Sequence, residues 1–128
     1  MKEAKRISEL FDKLTNQKEK MFPEKGKVSF SNKHGVYIIY DPKKKVLHVG
    51  KTNRGKNGLN QRLQNHISNN SSFSKQYLKD KGKGKILRDG YFVHYIEEEN
   101  ARVRALLEAL AAGKLCPAHI GTGEKRID

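Results

Sequence analysis

Two short runs, GVYIIY at 35–40 and VLHVG at 46–50, constrain this 128-residue chain more than any other feature. Both are dense in β-branched and aromatic residues, which fit a pleated, half-buried surface. Asp41-Pro42 between them suits the first two positions of a type I turn, so the pair reads as a β-hairpin. A third strand is expected at 91–96 (YFVHYI), and residues 24–34 read as a polar connector with at most a short strand at 28–30. Residues 4–20 read as an amphipathic helix, because Ile7, Leu10, Phe11 and Leu14 recur at spacings of three and four, and Phe22-Pro23 ends it. Further helices are expected at 58–70 (Leu59, Leu63 and Ile67 on one stripe), at 74–79, and at 98–113, where Gly113 is the stop. The order predicts an α+β fold: a small three-stranded sheet, antiparallel or mixed, flanked by helices and carrying an extra N-terminal helix.

Charge is the next constraint. Residues 42–88 hold thirteen Lys and Arg against one acid, Asp80, so this segment carries nearly all of the formal net charge of +13. Cations concentrated in one segment fit a phosphate-facing surface, because neutralising adjacent phosphates releases condensed counterions. No apolar run approaches the ~18 residues of a membrane span, and the opening MKEAKRISELF lacks a signal peptide's apolar stretch. One cysteine excludes a disulfide framework, and five scattered histidines give no zinc-finger spacing. The expectation is a cytoplasmic, basic domain whose charge suits a polyanion partner, or else an acidic protein surface, with no membrane partner. It divides into an N-terminal helix and connector at 1–33, a core domain at 34–120 and a tail at 121–128, with Cys116 a half-buried small residue.

Several residues carry chemistry. Gly50-Lys51-Thr52 looks like the end of a phosphate-binding P-loop, but the glycine required five residues earlier is Lys45, so that reading fails. In the last helix Glu108 is the only charge within ALLEALAAG, on a face shared with Ala101, Ala105, Ala109 and Ala112. An isolated carboxylate on a small-residue face suits close approach by a ligand or metal, as well as a plain exposed position. Arg62 and His66 are four apart and share a helix face, where an arginine can grip phosphate and an imidazole can move protons. In the hairpin, a four-residue loop would put Tyr37 opposite His48 on one face of the sheet, and a five-residue loop would separate them.

Together these residues resemble a GIY-YIG nuclease domain. The signature begins at Gly35-Val36-Tyr37 and continues with His48-Val49-Gly50 eleven residues after Tyr37. It then runs through Lys51, Arg62 and His66 to Glu108, with Pro117 nine residues beyond. The resemblance spans about 34–120 and is nearest to small stand-alone bacterial-type members. It implies metal-dependent hydrolysis of DNA phosphodiesters with one divalent cation, Mg²⁺ or Mn²⁺. By the same resemblance Tyr37 is the water activator or base, and Lys51 lowers that tyrosine's pKa or touches phosphate. Arg62 binds the scissile phosphate, His66 bonds the tyrosine or phosphate, and Glu108 holds the metal. Lys51, Arg54, Lys56, Arg62, Lys75, Lys83 and Lys85 are the expected nucleic-acid contacts.

The sequence departs from the family pattern twice. His48 stands where the family has its second tyrosine, and Ile120 stands where an asparagine is frequent, with His119 beside it. These departures keep an alternative in view: a non-catalytic nucleic-acid-binding module that retains the fold and the basic surface. Duplex and branched DNA both fit as substrate, and both a monomer and a homodimer fit as the assembly.

Overall fold

Strand β2 (Gly35–Tyr40) is buried at all six positions, because its alternating side chains enter two separate cores. A computed structural model describes residues 2–53 and 56–121. On one side Val36, Ile38 and Tyr40 pack with Ile7 and Leu14 of α1 (Lys2–Thr15) and with Val103 and Leu107 of α3 (Ala101–Leu115). On the other, Tyr37 and Ile39 meet Leu59 and Leu63 of α2 (Leu59–Ile67) and, from the segment after it, Phe73. The result is helix, sheet and helix in three layers.

The described sheet is antiparallel throughout and has four strands in the order β1-β4-β2-β3, with β3 at Val46–Lys51 and β4 at Phe92–Glu97. The strand beyond the expected three is β1 (Lys20–Met21), two residues long, on the open edge of β4. It exists because α1 ends five residues before the expected boundary. The Gln17 amide donates to the carbonyls of Lys13, Leu14 and Tyr95, and its oxygen accepts the Tyr95 N–H. One side chain thus occupies the last carbonyls of α1 and ties the departing chain to β4. Residues 28–30 form no strand, and in place of a helix at 74–79 there is a single π-helical turn, Phe73–Tyr77, followed by a 3₁₀ turn, Gly84–Arg88. Helix α3 runs through Gly113 to Leu115 and is closed by the exposed Cys116, which takes the left-handed conformation at φ 47°.

The hairpin has a five-residue loop, Asp41 to Lys45. Lys44 N–H donates to the Asp41 carbonyl, completing the expected turn, and the Asp41 carboxylate accepts from the N–H groups of Lys43 and Lys45. Continued without interruption, that loop would send His48 to the face opposite Tyr37. A β-bulge intervenes: Tyr40 pairs with Val46, Ile39 pairs with His48, and Leu47 is the extra residue. Tyr37 consequently pairs with Gly50, and His48 lies diagonal to it on the same face, with ring centroids 6.1 Å apart.

Two exposed ion pairs join the helical layer, Arg102 to Glu3 at 2.9 Å and Arg6 to Glu98 at 2.8 Å. Being exposed, such pairs add little; the apolar contacts of Ile7 and Leu14 hold α1 down.

His94 sits under α1, its ring tilted at 58° to that of Tyr40 with centroids 4.6 Å apart, and neither ring nitrogen finds a hydrogen-bond partner of ordinary geometry among the described residues. Burial lowers its pKa, with Lys20 adding to the effect. An imidazole held neutral in the fold but free to protonate when unfolded makes stability fall as pH drops below about 6.5. His94→Leu removes that liability and an unpaired buried polar group, so it should stabilise the protein by about 1 kcal/mol at pH 7.5 and flatten the decline toward pH 5. Thermal melts at both pH values check this; a lower melting temperature for the variant at pH 7.5 refutes it.

Candidate active site

The residues singled out in the sequence converge on one cleft of about 320 Å³. Strand β3 contributes His48, Gly50 and Lys51, α2 contributes Arg62, and α3 contributes Glu108 with Ala109 and Ala112 beside it. Pro117 and Ile120 close one end. Arg104 holds the wall in place from behind: although buried, its guanidinium donates to the carbonyls of Thr52, Glu98 and Glu99, fixing the exit of β3 against the start of α3.

Tyr37 is not in the lining. It is fully buried beneath Gly50, where a Cβ would run into its ring and hydroxyl; only glycine leaves room for the phenol. The hydroxyl lies 2.6 Å from His66 Nε2. His66 Nδ1 lies 2.7 Å from Ser71 Oγ, which is 2.9 Å from Ser74 Oγ, and that hydroxyl donates to the Ser71 carbonyl. This chain has one consistent direction. Ser74 spends its proton on a carbonyl, so Ser71 donates to Ser74 and must accept from His66 Nδ1–H. A neutral His66 then has a bare Nε2, and Tyr37 is the donor to it. Burial, reinforced by His48 and Arg62, holds His66 well below the usual imidazole pKa and therefore neutral.

Burial pushes the Tyr37 phenol up to about 12, against the pull of the Arg62 charge. The resemblance gave Lys51 either that influence or a contact with phosphate. Here the cation bearing on Tyr37 is Arg62, while the charge of Lys51 acts on Glu108. Glu108 is half-buried, and desolvation raises its pKa while Lys51 and Arg62 lower it. It makes no hydrogen bond or ion pair among the described residues.

His48 occupies a second network. It stacks on Phe73 with centroids 4.8 Å apart, and its Nδ1 lies 3.1 Å from Nδ1 of His119, whose Nε2 is 2.8 Å from the Gln76 amide oxygen. The Gln76 oxygen requires a proton on His119 Nε2, so His48 donates through Nδ1 and keeps a bare Nε2. Burial and the fields of His119 and Arg62 lower its pKa to about 3. His119 reaches this place because the N–H groups of Ala118 and His119 bond the carbonyls of Val46 and Leu47, which docks the segment after α3 on β3 at the bulge. Ser71, Ser74, Gln76, His119 and Arg104 were not identified from spacing as partners of these residues. An arginine inside an otherwise apolar stretch of α3 was the one visible signal.

Of the expected nucleic-acid contacts, Lys51 and Arg62 line the cleft and Lys56 lines a neighbouring one. Lys75, Lys83 and Lys85 are exposed on the turns after α2, away from both linings, and Arg54 lies outside the described residues. No group of three His, Cys, Asp or Glu side chains among the described residues is placed to enclose a metal ion. One unpaired carboxylate in an open cleft, facing cations that draw phosphate, nonetheless fits a Mg²⁺-type ion, which keeps most of its waters and takes phosphate oxygens as ligands. No described helix is long and apolar enough to cross a membrane.

In the free protein Tyr37 should ionise only near pH 12, detectable by NMR titration of ¹³Cζ-labelled tyrosine with Tyr37→Phe as the assignment control; ionisation below pH 9 would contradict the buried phenol.

Residues 33–111 match the family described as the GIY-YIG catalytic domain. No curated protein and no solved structure gives a match. The family match covers more than half of the chain and includes the tyrosine, arginine, histidine and glutamate that meet around this cleft, and the chain belongs to the GIY-YIG family, whose catalytic domain is of the nuclease type.

Proposed function

We propose that this domain is a cytoplasmic endonuclease that hydrolyses DNA phosphodiester bonds with the help of one divalent cation. The observation that carries the proposal is the meeting, in one cleft, of an unpaired carboxylate and two cations, above a directed hydrogen-bond chain that ends on the buried Tyr37. Arg62, with Lys51 beside it, binds the scissile phosphate and offsets the charge that builds on its oxygens. As the guanidinium moves toward that phosphate, a water molecule gains access to the Tyr37 hydroxyl.

The proton path follows the hydrogen-bond direction. Tyr37 passes its proton to His66 Nε2 as its oxygen takes one from the attacking water, so no free tyrosinate is needed. The bound phosphate offsets the Arg62 charge that holds the His66 pKa down, which raises its proton affinity when it is required. The new O–P bond forms as the P–O3′ bond breaks. Glu108 would hold the cation, which when bound supplies Lewis-acid stabilisation of the phosphoryl and leaving oxygens. His48, kept neutral and fixed by His119, offers a bare Nε2 where the family has a tyrosine hydroxyl, so it can accept but not donate a hydrogen bond there.

Glu108→Gln should abolish nicking of supercoiled plasmid in Mg²⁺ or Mn²⁺ while DNA affinity stays within about threefold; cleavage at the wild-type rate by the folded variant would sink the mechanism. Ser71→Ala frees the His66 tautomer and should slow cleavage by about 10²-fold, in the range of a lost general-base contribution, with KM little changed. An unaltered kcat would remove the relay.

A second reading, a non-catalytic nucleic-acid-binding module, draws on the complete burial of Tyr37. The same plasmid assay with and without EDTA separates the two, since the module binds DNA and never cuts it.

A further inference from the structure

A second cleft, of about 290 Å³, lies on the other flank of the first turn of α2. Its floor is a rigid construction. Asn60 Oδ1 accepts from the N–H groups of Phe30 and Ser31 at 2.6 and 2.8 Å, and Gln64 Oε1 accepts from Val28 N–H at 3.0 Å. The N–H groups of Leu59 and Asn60 donate to the carbonyls of Lys33 and Ser31. Gly58 is pressed so closely on Asn32 and Lys33 that a Cβ there would strike their carbonyl groups. The connector 27–33 is therefore locked against α2.

What that floor leaves open has a definite chemistry. Lys27 and Lys56 stand exposed at the cleft, and no acid among the described residues lines it. The amides of Asn32, Asn57 and Gln61 also line it. The Asn32 oxygen is taken by Asn60 and the Gln61 nitrogen by Asn65, which leaves the Asn32 NH₂ as donor and the Gln61 oxygen as acceptor. Cations for phosphate together with amide donors and acceptors match a nucleic-acid strand, whose backbone is anionic and whose bases present both kinds of group. The two clefts draw on neighbouring stretches of the chain. Arg62 lines the first and its neighbour Gln61 the second; Asn53 faces the first, and Lys56 and Asn57 the second.

We propose that this amide- and lysine-lined cleft is a second DNA contact, which grips the strand flanking the phosphate held by Arg62. Lys27 and Lys56 take phosphates, and Asn32, Asn57 and Gln61 face the bases. The contact rests on the nuclease reading above for its substrate, and its test needs no cleavage.

The test measures binding of a short labelled duplex to the Glu108→Gln protein by fluorescence anisotropy across a salt series. Adding Lys27→Ala and Lys56→Ala should weaken binding about tenfold at low salt and reduce the slope of log K against log salt by about 2. Adding Asn57→Ala and Gln61→Ala instead should weaken binding a few-fold without altering the slope. The control is Lys2→Ala with Lys5→Ala on α1, which removes equal charge from a different face. An unchanged slope for the Lys27/Lys56 variant, or an equal loss in the control, overturns the contact. Failure of the nuclease reading shows separately, as wild-type protein that binds DNA through these lysines and leaves plasmid intact.

Discussion

A phenol hydroxyl with no access to water must find its partners inside the protein, and the Tyr37 hydroxyl organises the elements around it in doing so. It requires His66 on α2 to face the sheet, and His66 in turn requires a hydroxyl at Ser71, which the chain supplies by turning sharply after α2. The π-helical turn at Phe73–Tyr77 follows from that demand, with Ser74 satisfying Ser71 and Phe73 filling the space between the rings of His48 and His66. The ring itself demands glycine at position 50, so the hairpin, α2 and the segment beyond it are fitted to one side chain.

The electrostatics of the cleft divide by depth. At the floor three imidazoles, His48, His66 and His119, have pKa values lowered by burial, which leaves them as neutral hydrogen-bonding groups. At the mouth, Lys51, Arg62 and Glu108 set two positive charges beside one carboxylate whose own burial opposes ionisation. Such a site, with one positive charge in excess when Glu108 is ionised, is poised to take up an anion.

Much of this was legible in the residues, for identifiable reasons. Apolar periodicity revealed α2 and α3, and helical spacing put Arg62 with His66 and isolated Glu108 from the core stripe. β-Branched density revealed the hairpin, and the resemblance ordered these parts into one domain. Features that depend on single side chains bonding to distant backbone had no periodic signal. Gln17 ends α1 and creates β1 through Tyr95, far along the chain. His119 meets His48 across 71 positions. Loop length alone predicts the wrong face for His48, because a bulge is a local exception to the strand period of two. Sequence order also gives no depth: Lys51 and Arg62 share a cleft, but the charge that bears on the phenol is that of Arg62.

The bulge at Leu47 also sets how the gene can tolerate change. Loss of one codon from the loop would ordinarily rotate everything after it to the opposite face. Here the strand can straighten instead, with Leu47 pairing Tyr40 and Val46 passing into the loop, so the loop keeps five residues and His48 still pairs with Ile39. The displaced Leu47 would enter the apolar layer under α1 and α3, a shift between two hydrophobic environments. A single-residue deletion in this hairpin would therefore be absorbed by repacking one leucine, while the same deletion within β2 has no such reserve.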